Sequence, residues 1–104
     1  MTSGKFYDIC NDVVDRCKLV LINKNTEYAT DDVLHNFKVA AKLEGITPEQ
    51  ALAGMMAKHT VSIYDMIKSA EYYDPAVWDE KIGDSINYLI LLRALIEDCA
   101  AGME

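Results

Sequence analysis

Four polar residues, Glu80, Asp84, Asn87 and Tyr88, follow one another at i, i+4, i+7 and i+8. On an α-helix that spacing places them on one face. Asp84, Asn87 and Tyr88 stand among strongly apolar neighbours, so the face reads as partly buried. Two carboxylates one turn apart can hold a divalent cation through oxygen ligands, which makes Glu80 and Asp84 candidate metal ligands. A solvated acidic face beside the core is the plainer alternative and weighs at least as much for Glu80.

A second group is Lys58, His59, Ser62 and Asp65, in which Lys58, Ser62 and Asp65 share a helical face. In a cleft, Lys58 and Asp65 could meet a phosphate and orient a cation. On an open surface they are an ion pair worth roughly 0.2–0.5 kcal/mol. His59 reads equally as a ligand-facing ring or as a satisfied core or interface histidine. A third group is Lys24, Asn25 and Tyr28 in a polar stretch whose donors could hold phosphate while Tyr28 stacks on a base. A plain helix–helix loop has the same composition. Beside Phe37, expected in the core, and Lys38, expected in solvent, Asn36 is the polar residue out of pattern.

These groups need helices to position them. Three-four spacing of Phe6, Ile9, Cys10, Val13, Val14, Cys17, Val20 and Leu21 predicts a first helix over about 4–22. The polar run from Asn23 to Thr30 reads as a loop, with Thr30 or Asp31 capping a second helix over 32–43 that turns Val33, Phe37, Ala40 and Ala41 inward. Gly45 is a natural stop. Thr47-Pro48-Glu49-Gln50 is a capping box with proline in the first helical position, opening a third helix over 48–70. Asp74-Pro75 opens a fourth over 75–99 by the same logic. The fold class is therefore all-α: one domain, a four-helix bundle with short connections. The segment Ile86 to Ile96 is apolar nearly all round, more than one small bundle covers, so a homo-oligomer is expected to complete it.

Composition excludes several functions. The 104 residues fit one domain, and the net charge of −7 argues against DNA or RNA duplex binding, which needs a basic face. Cys10, Cys17 and Cys99 are odd in number and lack a CxxC spacing, which argues against a disulfide framework and suits a reducing cytoplasm; Cys10 and Cys17 read as small core residues. The N-terminal residues carry no signal-peptide pattern, and no apolar run reaches the ~20 residues a membrane span needs. No GxGxxG, Walker A, GxSxG or HExxH motif is present.

The order Asn25-x-x-Tyr28, Asn36-Phe37, Thr47-Pro48-Glu49, Lys58, then Trp78-x-Glu80-x-x-x-Asp84-x-x-Asn87-Tyr88 resembles small MazG-like proteins of bacteriophages and prophages. The resemblance runs from about Asn25 to Leu95. It implies an all-α fold assembling as dimers or tetramers around a nucleotide site. In enzymatic members it also implies Mg²⁺-dependent cleavage of nucleoside triphosphates to monophosphate and pyrophosphate, with acids on two helices holding the metal. Glu80, Asp84 and Asp65 would be the catalytic candidates here. The sequence departs from that pattern: Lys81 stands three before Asp84 where a Glu is expected, and Lys58, His59 and Asp65 occupy the helix expected to carry paired Glu residues. The leading expectation is thus a cytoplasmic, phage-type protein that binds a nucleotide without hydrolysing it, sequestering a nucleotide signal of host defence. Lys24, Asn25, Tyr28, Asn36, Lys58, His59, Asp84, Asn87 and Tyr88 would contact the ligand. A Mg²⁺-dependent pyrophosphohydrolase and a helical inhibitor of a host protein are the alternatives.

Overall fold

Local capping chemistry sets several boundaries. The Thr47 hydroxyl accepts from the Gln50 N–H at 3.1 Å while the Gln50 side chain accepts from the Thr47 N–H at 3.0 Å, closing the capping box that starts α3 (Pro48–Lys68). The Asp74 carboxylate accepts from the Ala76 N–H at 2.9 Å and starts α4 (Pro75–Gly102). Gly45, at φ 70°, ends α2 (His35–Glu44) in the left-handed conformation, its N–H returned to the Ala41 carbonyl. These elements and α1 (Ser3–Tyr28) make up a computed structural model that describes residues 1–28 and 32–102, by backbone alone at 25–28 and 102.

Two boundaries differ from expectation. α1 does not stop at Ile22 but continues through Tyr28. The run Asn23 to Glu27 holds no Gly or Pro, and its helix propensities fall only tenths of a kcal/mol short, too little to stop a helix already nucleated. Lys24 therefore sits on a helix, not in a loop. At the other boundary, α2 begins at His35, three residues later than expected. Asp32 organises its start, accepting from the Leu34 N–H at 2.9 Å. Leu34 is buried where Val33 was expected, and Val33 stays exposed; Thr30 and Asp31 lie outside the described residues.

The all-helical fold is a bundle built around α4. α3 packs along one side of α4 and α2 packs on α3, and these three helices enclose the core of Leu34, Phe37, Leu52 and Leu95, with Met55, Met56, Leu91 and Leu92 against it. Among the described residues, α1 packs on α4 alone. Arg16 pairs with Asp79, and the Cys17 thiol lies 3.9 Å from the Gly83 carbonyl. Leu21, Ile22 and Lys24 share a cavity with Asn87 and Leu91, so α1 and α4 run in the same direction. Although α3 and α1 flank it, α4 leaves Ile82, Leu89, Ile90 and Ile96 exposed, and Leu95 is its fully buried side chain. Cys17 is buried as expected. Cys10, two turns earlier on the same stripe, is exposed. Among the described residues, no helix is long and apolar enough to cross a membrane.

Candidate functional site

A cavity of about 600 Å³ opens where all four helices come together. That volume lies in the range of small-molecule sites, roughly 300–1,000 Å³. α1 supplies Leu21, Ile22 and Lys24 from its later turns; the start of α2 supplies Asp32, His35, Asn36 and Phe37. Met55 and His59 face it from α3, and Asp84, Asn87, Tyr88 and Leu91 from α4. The wall is mostly apolar with a few convergent polar groups.

The polar groups cluster across the α3–α4 boundary. His59 Nδ1 stands 3.6 Å from Asp84 Oδ2, both side chains more than two-thirds covered. The His59 ring packs against Tyr88 at a centroid separation of 5.0 Å and a tilt of 43°. Asp84 and Tyr88 meet the same histidine because they are one helical turn apart. Asn87, from the adjoining register, is 7% exposed, and its side-chain oxygen has no hydrogen-bond partner. An unsatisfied buried acceptor costs about 1–3 kcal/mol. Ser85 Oγ is likewise buried without a partner, but it does not line the cavity.

Asp32 is held at the cavity edge by Lys38. Its carboxylate accepts from Lys38 Nζ at 2.7 Å, and Lys38 also reaches Asp98 at 2.9 Å. The Lys38 hydrogen bond, followed by that of the Leu34 N–H, lowers the pKa of Asp32; the two carboxylates raise that of Lys38. Lys38 is thus not merely solvated, as the sequence suggested: it ties the start of α2 to the end of α4.

A second hollow of about 570 Å³ lies between α1 and α4. Arg16, Cys17 and Val20 form one wall; Asp79, Glu80 and Gly83 form the other. Asp84 and Asn87 border both spaces. Burial and then the Asp84 charge push the Cys17 thiol pKa up, which favours an inert packing role.

The structure thus brings Lys24, Asn36, His59, Asp84, Asn87 and Tyr88 to one cavity. Glu80 is exposed and borders only the second hollow; Lys58 and Asp65 are exposed and line neither. The side chains of Asn25 and Tyr28 lie outside the described residues. From sequence, His35 stands only as a member of the group around Asn36 and Asp32 only as an acid suited to the start of α2, and neither is expected to line a site. As for Mg²⁺, among the described residues no three His, Cys, Asp or Glu side chains converge to hold a metal ion. The Asp84 carboxylate faces His59, Glu80 borders the second hollow, and Asp65 lines neither cavity. Comparison with known families, curated proteins and solved structures finds no match.

Proposed function

We propose that this chain is a nucleotide-binding protein that holds its ligand in the four-helix cavity without hydrolysing it, and that it works as a homo-oligomer. Its MazG-like character, its phage and cytoplasmic setting and its use in sequestering a nucleotide signal of host defence rest on the sequence resemblance. The binding reading rests on the cavity, and one observation carries it: Asn87 is buried, borders the cavity and has an acceptor oxygen with no partner. A donor on the ligand, such as the N–H of a nucleobase edge, would satisfy it. Tyr88 and His59 offer ring surface beside it, Lys24 offers positive charge for phosphate, and His35 lines the same wall. Lys81, three before Asp84 where the resemblance calls for a Glu, favours binding over metal-assisted cleavage.

The test is calorimetric titration and thermal unfolding with nucleoside triphosphates, cyclic dinucleotides and ADP-ribose variants, with and without Mg²⁺, followed by product analysis. A ligand that binds only the folded chain adds about 2.7 kcal/mol at a hundredfold excess over Kd. The expected result is a metal-independent shift with ligand recovered intact, weakened at least tenfold by Asn87→Leu. Release of pyrophosphate with Mg²⁺ would replace this reading by the enzymatic one. Absence of binding by every nucleotide would sink both.

A further inference from the structure

We propose that α1 is a lid: it lifts from α4 as one helix while α2, α3 and α4 stay folded together, and this opening uncovers the side-chain oxygen of Asn87. The inference deepens the binding reading above, because it supplies the step by which a ligand donor reaches that oxygen. Opening itself depends on no ligand.

The buried oxygen requires a moving part. Asn87 borders both the four-helix cavity and the second hollow, yet its side-chain oxygen is covered and has no partner. As the helices stand, neither space delivers a ligand to it, so a wall of these spaces has to move. α1 is a wall of both, with Leu21 and Ile22 on the first and Arg16 and Val20 on the second. Cys17 and Gly83 are 66 residues apart in sequence and lie side by side. One turn further along the two parallel helices, the same register sets Leu21 level with Asn87. The turn from Cys17 to Leu21 thus lies over the turn of α4 that carries Asp84 and Asn87. Lifting it joins the two spaces into one groove along α4.

α1 is also weakly held. The core residues Leu34, Phe37, Leu52 and Leu95 all lie outside it. Among the described residues, α1 packs on α4 alone, buries Cys17 and half-buries Val13 and Leu21. Arg16 and Asp79 pair across the junction with side chains 56% and 37% exposed, and an ion pair so open to water holds two helices together only weakly. Opposite Cys17, α4 presents Gly83, which has no side chain to interlock with it. With 26 residues, α1 exceeds the ~12–15 below which a lone helix is marginal, so it can leave α4 and keep its own hydrogen bonds. Openings that cost less than global unfolding fall on elements with few buried apolar contacts, and α1 is such an element.

Cys17, 3% exposed, reports the opening. With Cys10→Ser and Cys99→Ser it is the one thiol of the chain. Its rate of reaction with dithionitrobenzoate in native buffer, divided by the rate in the urea-unfolded chain, gives the open fraction; circular dichroism against urea gives the globally unfolded fraction. The open fraction is expected to be at least tenfold the larger, with a shallower urea dependence because less surface is exposed. Leu52→Ala, in the core that stays folded, is expected to lower global stability and leave the Cys17 rate unchanged. Val13→Ala and Leu21→Ala, one turn to either side of Cys17, are each expected to raise that rate several-fold. A thiol that reacts only as fast as global unfolding allows, or that accelerates with Leu52→Ala in step with the lost stability, overturns the lid. Rates unmoved by both Val13→Ala and Leu21→Ala mark a fluctuation at Cys17 alone and overturn it too.

A lock gives the second measurement. A Cβ at position 83 would lie 4.0 Å from the Cys17 sulfur, within reach of a disulfide. In the same background, oxidised Gly83→Cys is expected to take up the nucleotides that the wild type binds at least tenfold more slowly, and dithiothreitol to restore the rate. Uptake unchanged by the lock overturns the lid. Absence of nucleotide binding by the wild type removes the ligand reading and not the lid, which the thiol rates decide.

Discussion

α1 and the α2–α3–α4 unit are both helical and both amphipathic, yet they hold their shape differently. The three-helix unit buries Leu52 and Leu95 completely, and its α3 start is fastened by a reciprocal capping box. α1, with 26 residues, buries Cys17 and half-buries Val13 and Leu21, leaving Phe6, Ile9, Val14, Leu19 and Ile22 open. An apolar stripe records which face a helix can bury, not whether a neighbour reaches every turn of it. The four-helix cavity lies where the two regions meet: most of its polar wall belongs to the tightly packed unit, and α1 closes one side.

Core truncation breaks the contrast most strongly. Leu52→Ala or Leu95→Ala is expected to cost about 2–5 kcal/mol in denaturant unfolding, whereas Leu19→Ala on α1 stays within about 0.5 kcal/mol. Next comes the α3 cap: Thr47→Ala removes one side of the box and is expected to cost about 1 kcal/mol by the same measurement. A smaller effect sharpens the link between the regions. The pKa of Asp32 is lowered by Lys38, so its contribution is complete above the unfolded carboxyl pKa of about 3.9. It is lost as pH falls through the lower folded value. Wild type is therefore expected to exceed Asp32→Asn in stability at pH 7 and to converge with it in strong acid, as read by thermal melts across pH. The smallest effect is kinetic. Buried Cys17 should alkylate more slowly than exposed Cys99 at pH 8, although the hydrogen bond to Glu49 raises the Cys99 pKa too. Mass-resolved labelling checks the order.

The site was legible where it depended on a single helix. Asp84, Asn87 and Tyr88 share a face because the α-helical period brings every third and fourth residue together, and the structure places all three at one cavity. Lys58 and His59 were not separable in this way. They are neighbours in sequence and about 100° apart around α3, so the rotation of that helix against α4 decides that His59 faces the cavity and Lys58 does not. Lys38 shows the same limit, since Asp98 comes to it from the far end of α4.

The sequence by itself determined the helical class, the caps at Thr47 and Asp74 and the stop at Gly45. Each is settled by chemistry within a few residues of backbone. Only the tertiary structure decided that, among the described residues, α1 covers α4 and not α3, that Cys17 is buried while Cys10 on the same stripe is not, and that Asn87 borders a cavity with a buried oxygen left without a partner. These depend on where helices distant in sequence lie against one another, and the pattern along one helix does not encode the position of its neighbours.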